Sequence, residues 1–330
     1  MARPTYTPKE YHNYLKTSSF KHLLVEGKDD KQLFHFLIDE FNQINQNMPS
    51  PKVLIDTAEQ LIKFEDTPGN CAKVEFICKM IENTPIAGKL VGFVDREFRE
   101  FEADPVFRDN RLEHVVQGRL VWSRGHSIEN YFFDVSILRD PLRDISNFDL
   151  FYNAFEKFQS VMNATIRLAC AASLAGKECG QIGVISHRIN WTFITINNQN
   201  ENMSGDVIFN FEKWKNYLVK NGVSLDKANN LCSSYKSWNQ KILNVDLSVV
   251  KWLCHGHTGM AFIRSVYARC VHNAAVDKQL ERPDDEVEKT ERYNDEDRFK
   301  ACAACWSRKA IINQCEYPIE VLKLLDFKFV

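Results

Sequence analysis

The chain has 330 residues, 44% of them hydrophobic and 26% charged, and carries a net charge of −2. That length allows two domains and a sizeable core, which 23 phenylalanines help to fill. The near-neutral balance excludes a protein that coats nucleic acid by bulk charge, so any nucleic-acid site must be a local basic patch. No run of about 20 apolar residues is present, and no membrane span is expected. The stretch Met1-Ala-Arg-Pro-Thr-Tyr-Thr-Pro lacks the apolar core of a signal peptide. The ten cysteines follow no regular spacing, which fits reduced thiols better than a disulfide scaffold, so a cytoplasmic location is expected.

In chain order, Tyr11 to Leu15 reads as a short helix. His22 to Val25 is a short buried strand, ended by Glu26 and a turn at Gly27. From Lys31 to Asn45, Leu33, Phe34, Leu37, Ile38, Phe41 and Ile44 form one apolar helical stripe, and Asp29 or Asp30 is the expected N-cap. Lys52 to Asp56 reads as a second strand and residues 70–83 as a second helix, with Val74, Ile77, Cys78 and Ile81 inward. Lys89 to Asp95 is a continuous apolar run of the kind buried on both faces, and Arg119 to Ser123 is a fourth strand. Alternating strands and helices imply right-handed crossovers and a mainly parallel sheet. Beyond about Leu138 the periodicity becomes helical: Phe151 to Leu174, Phe209 to Lys220, Asp226 to Leu243 and Gly259 to Ala275. Residues 180–196 read as a strand pair or an irregular connection, and the doubly charged run 277–298 as a solvated loop or exposed helix. The expected organisation is an α/β domain over residues 1–140 and a mostly helical domain over 141–330.

Ligands in open α/β sheets bind off the carboxyl ends of the strands, which is where Glu26 falls. Asp95-Arg-Glu97 follows the third strand. If the backbone stays extended for two more residues, Asp95 and Glu97 point to one side. These carboxylates are hard oxygen ligands suited to Mg²⁺ or Mn²⁺, ions that accept substrate phosphates as remaining ligands. A third element, Ser123-Arg-Gly-His-Ser-Ile-Glu-Asn-Tyr131, follows the fourth strand. Within it Glu129 would complete the acidic set, Arg124 would hold a phosphate and His126 would shuttle a proton.

Val25-Glu-Gly-Lys-Asp-Asp30 resembles the Glu-Gly-x-x-Asp signature of toprim domains, and Val94-Asp-Arg-Glu97 resembles their Asp-x-Asp motif with Glu97 in place of the second Asp. With His126-Ser-Ile-Glu-Asn-Tyr131 the chain looks like a toprim-like family of phage-defence nucleases that includes the nuclease subunit of PARIS systems. It is more distantly similar to OLD-type (overcoming-lysogenization-defect) nucleases. The resemblance covers about residues 20–135. It implies a metal-dependent endonuclease with Glu26 in acid–base transfer or metal binding and with Asp95 and Glu97 holding the ion. Asp30 and His126 join Glu26 as catalytic candidates, Glu129 joins the metal set, and Lys28 joins Arg124 in substrate binding. It further implies restraint by a partner ATPase of the ABC/SMC-like type, release by a phage trigger, homodimerisation, and cleavage of tRNA. The helical half is then the substrate wall, dimer surface and ATPase-docking surface.

Each of these residues also has a plainer reading. Glu26 and Asp30 would serve a turn and a helix cap, Lys28 an exposed turn, Glu97 a solvated strand end, Glu129 a cap or salt bridge, and His126 a satisfied structural contact. Cys254-x-x-His257 and Cys302-x-x-Cys305 have zinc-ligand spacings, but cysteines three apart in a helical run are simply neighbours on one face. The rival functions are a DNA nickase or OLD-type DNA nuclease, and a non-catalytic toprim-like module that senses or docks on an ATPase.

Overall fold

The computed structural model describes residues 4–64, 69–197 and 206–329. Helix α1 (Pro8–Thr17) starts at Thr7, whose side chain and that of Glu10 close a capping box. Strand β1 (Lys21–Val25) leads through Gly27 into α2 (Lys28–Ile44), followed by β2 (Val53–Thr57), α3 (Asn70–Ile81) and β3 (Leu90–Val94). A two-residue antiparallel pair, β4 (Phe101–Glu102) and β5 (Arg108–Asp109), precedes β6 (Val115–Gln117) and β7 (Leu120–Trp122). The helical region comprises α4 (Val135–Asp144), α5 (Phe148–Glu178) and α6 (Ile182–Ser186), then the antiparallel pair β8 (Ile194–Asn197) and β9 (Asp206–Phe209). It continues with α7 (Phe211–Lys220), α8 (Leu225–Ile242), α9 (Leu247–Leu253), α10 (Gly256–Asp277), α11 (Pro283–Glu291) and α12 (Asp295–Ile311), and α13 (Ile319–Leu324) follows near the end. The charged run expected as loop or exposed helix thus contains α11 and the start of α12. The 180–196 connection holds a short helix and only one strand of its hairpin, whose partner lies at 206–209.

The chain forms two compact units. One comprises Met1–Glu100, Asn110–Ile128 and Ala303–Val330, the other Phe101–Asp109 and Glu129–Cys302. The division is therefore not one cut near residue 140, a position inside α4. The terminal segment with α13 belongs to the α/β unit because its residues are apolar enough to pack there: Phe41 of α2 meets the rings of Phe327 and Phe329 edge-on, each at 5.1 Å.

In the first unit five strands form a sheet in the order β2-β1-β3-β7-β6, all parallel except β6, which returns antiparallel to β7. Every residue of β3 is buried. Its alternate side chains serve two layers: Leu90 and Val94 join the cluster of α1 and α3 (Tyr11, Leu15, Val74, Ile77), and Phe93 meets Phe34 of α2 edge-on at 4.8 Å. Gly92 faces α3 at close range. A Cβ there would lie 2.4 Å from Cys78 Sγ and 2.9 Å from Val74 Cγ1, so only glycine lets the helix approach.

In the second unit α5 and α10 form the core, with buried rows Phe151, Phe155, Phe158 and Val161 on one and Phe262, Ile263, Val266 and Tyr267 on the other. Gly259 of α10 sits against the Phe133 ring, where a Cβ would come within 2.0 Å of Cζ. No helix among the described residues is long and apolar enough to cross a membrane.

Candidate functional site

The strand order carries the chain from β1 to β2 on one side and then to β3 on the other. The crevice between the carboxyl ends of β1 and β3 is a topological switch point, the usual ligand position in such sheets. Glu26 follows β1 directly and Asp95 follows β3. Residues 69 apart in sequence meet there: Glu26 Oε1 accepts the Asp95 backbone N–H at 2.7 Å.

Glu97 arrives by a turn, not by the extended backbone expected from sequence. Its φ is +55°, the left-handed region, and its N–H donates to the His126 carbonyl at 2.8 Å. The turn is held on both sides. Arg96 N–H donates to Ser123 Oγ at 2.9 Å, and that hydroxyl donates to the Gly125 carbonyl at 2.7 Å. The Arg96 guanidinium is fully buried and donates to the carbonyls of Arg99, Glu100 and Arg124 at 2.9, 3.1 and 3.1 Å. One inward side chain thus ties together the loops that follow β3 and β7.

Electrostatics set Glu26 apart. Burial foremost, then the like charges of Glu97 and Glu75, push its carboxyl above the ordinary carboxylate range, against the Asp95 N–H and the Arg99 charge, which pull it down. Glu75 and Arg99 were not foreseen from sequence. Arg99 Nη1 lies 2.5 Å from Glu75 Oε1, Nη2 lies 3.2 Å from Cys71 Sγ, and the guanidinium sits over the Trp122 ring at 5.1 Å from its centroid. Burial and the neighbouring Glu26 carboxylate push the Cys71 thiol up to about 12, which keeps it protonated at neutral pH. Glu59 also reaches this edge, with its Oε1 3.7 Å from where a Cβ on Gly27 would stand. The sequence signal for these residues is thin: a carboxylate after β2, one on the α3 face four residues from Cys71, and a cation two residues past Glu97.

The remaining expected residues have the following partners. Asp30 is buried and accepts the Gly27 N–H at 2.9 Å, so its carboxylate closes the first turn of α2. Lys28 is exposed at the start of that helix. Arg124 is buried with Nε 3.5 Å from Glu316 Oε1, and the buried His126 ring packs edge-on against Phe98 at 4.4 Å. Glu129 belongs to the second unit, where its buried Oε1 lies 3.1 Å from Nδ1 of the exposed His257. Beside it the Asn130 amide donates to the carbonyls of Lys251 and Cys254 at 2.7 and 2.8 Å.

Among the described residues no group of three or more His, Cys, Asp and Glu side chains is gathered to hold a metal ion. Of the residues with zinc-ligand spacings, Cys302 and Cys305 are buried along α12, and buried Cys254 lies 3.7 Å from Ser173 Oγ. Mg²⁺ does not demand three protein ligands. It keeps several waters and takes one or two carboxylates plus substrate phosphate. Glu26, Asp95 and Glu97 have the donor chemistry for that mode, and the like-charge field at Glu26 is one a cation would relieve. No family model matches this chain, and no curated protein matches it.

Proposed function

We propose that this chain is a divalent-cation-dependent endonuclease of the toprim-like phage-defence type, hydrolysing phosphodiester bonds in tRNA. In this reading a partner ATPase of the ABC/SMC-like type restrains it, and it acts as a homodimer once released. The observation that carries the catalytic part is the meeting of Glu26 and Asp95 at the switch point of the sheet, with Glu97 acting on the same carboxyl. The tRNA, ATPase and dimer parts rest on the likeness of the Glu26-Gly27, Asp95-x-Glu97 and His126-Ser-Ile-Glu129 runs to that family.

Glu26, Asp95 and Glu97 would hold Mg²⁺ or Mn²⁺, which when bound supplies charge stabilisation at the phosphoryl oxygens. Glu26 contributes more than a ligand atom. A carboxyl held above its ordinary range retains a proton at higher pH and suits general acid–base transfer. Arg96 is the positioning residue, because its guanidinium fixes the loops carrying the other groups. The buried Arg124 and His126 shape the loop that receives the Glu97 N–H.

The test is incubation of the purified chain, and of Glu26→Ala, with total tRNA and with supercoiled plasmid in Mg²⁺. Defined tRNA breaks from the parent and none from the variant are expected. Nicked plasmid with intact tRNA would reverse the substrate to DNA. Cleavage that survives Glu26→Ala would leave the chain a non-catalytic module and assign the breaks to a contaminant.

A further inference from the structure

A nuclease must bring a polyanion to Glu26, a carboxyl that already feels the like charges of Glu97 and Glu75. Those carboxylates repel phosphate, and a guanidinium beside them offsets part of that repulsion. Arg99 is the cation whose charge bears on Glu26. Its backbone is pinned: Arg99 N–H donates to the Arg96 carbonyl at 3.2 Å, and its own carbonyl accepts from the buried Arg96 guanidinium at 2.9 Å. Its side chain, held by Glu75, Cys71 and Trp122, is still 34% exposed. The partner, Glu75, is 33% exposed and presents one carboxylate oxygen to Nη1 at 2.5 Å. A guanidinium on a rigid backbone, stacked over Trp122 and capped by a carboxylate one-third exposed, has the fork geometry that binds phosphate as readily as carboxylate.

Resting on the nuclease reading above, we infer that Arg99 is the phosphate-contact residue of this site and that Glu75 occupies its fork in place of a substrate phosphodiester until nucleic acid displaces it. The exchange removes a negative charge from the fork and leaves the guanidinium facing the incoming backbone. Glu75 is therefore an internal competitor of the substrate. Losing its charge should tighten binding, whereas a carboxylate that merely supported the fold would weaken or not change it.

The experiment measures binding of fluorescein-labelled total tRNA, and of a labelled DNA duplex, to the full chain in EDTA, where no metal-dependent cleavage proceeds. The variants are Glu75→Gln, Arg99→Gln, Arg99→Lys and the double Glu75→Gln/Arg99→Gln, with thermal midpoints recorded for each. Glu75→Gln should tighten tRNA binding roughly two- to fivefold, the range set by a partly exposed ion pair. Arg99→Gln should weaken it and flatten the log–log salt slope by about 0.7–0.9, the signature of one lost phosphate contact. Arg99→Lys should keep that slope. In the double variant the gain from Glu75→Gln should vanish, because the carboxylate acts only through the guanidinium. A Glu75→Gln gain that persists without Arg99 would reduce the effect to general charge and overturn the inference. So would an unchanged affinity in Glu75→Gln, or a parent chain that binds neither nucleic acid. The same coupling seen with the duplex in place of tRNA would keep the Glu75–Arg99 exchange and replace only the substrate. Cleavage lost in Glu26→Ala but with no coupling here would leave the nuclease reading standing and remove this one.

Discussion

Glu97 offers a sharp test of how the site is built. It is an L-residue at φ +55°, a conformation that costs about 1–2 kcal/mol. It cannot relax locally, because its N–H is tied to the His126 carbonyl at 2.8 Å and the preceding N–H to Ser123 Oγ. Glycine escapes the steric cost but returns about 0.4–1 kcal/mol through the greater freedom of the unfolded chain. Glu97→Gly should therefore gain about 0.8 kcal/mol from the backbone alone, the middle of a range of roughly 0–1.6. Removing the Glu97 charge also relieves the like-charge field on Glu26. The Glu97→Gln variant isolates that second effect, since it keeps the side-chain shape and the strained φ. The stability order should be Gly above Gln above the parent, with the Gly–Gln gap worth about 1–3 °C in thermal midpoint. Both variants should lose cleavage, so that stability rises as function falls. A glycine variant no more stable than the glutamine one would refute the claim that strain is stored at this turn.

Three further outcomes follow from the geometry. The raised Glu26 carboxyl binds its proton more tightly in the folded chain than in the unfolded one, so the folded state should lose stability as pH rises from the unfolded carboxylate range up through the folded value. Glu26→Gln, neutral at every pH, should be more stable than the parent at neutral pH and converge with it in acid, as read from denaturant midpoints across pH; a parent more stable than the variant at neutral pH would contradict the sign. Arg96→Met leaves one buried and two part-buried backbone carbonyls without their donor and should cost roughly 2–4 kcal/mol. Its amide hydrogen exchange should quicken over residues 96–100 and 123–126 while β1 stays protected. Gly259→Ala drives a methyl into the Phe133 ring and should destabilise the second unit by about 1–3 kcal/mol, visible in the thermal midpoint.

Much of this molecule was readable along the chain. The continuous apolar run of β3 announced a strand buried on both faces, and the 3.6-residue stripes of α2, α3, α5 and α10 announced helices, because these patterns depend only on neighbours a few residues away. The carboxylates after β1 and β3 were legible for the same reason: a strand end is a local feature, and parallel strands place such ends on one edge. The short, polar strands β4 to β6 carry no apolar run and left no mark, whereas β7, equally short, was legible through Leu120-Val-Trp122. What only the tertiary structure decided is which side chains share a field. Arg99 meets Glu75 on α3, Glu129 meets His257, and Glu97 reaches the site through a left-handed turn held by the 123–126 loop. Within the first unit, strand order and the buried Arg96 hold the loops that carry Arg99 and Glu97, and electrostatic and hydrogen-bond energies depend on distance in space, to which separation along the chain is blind.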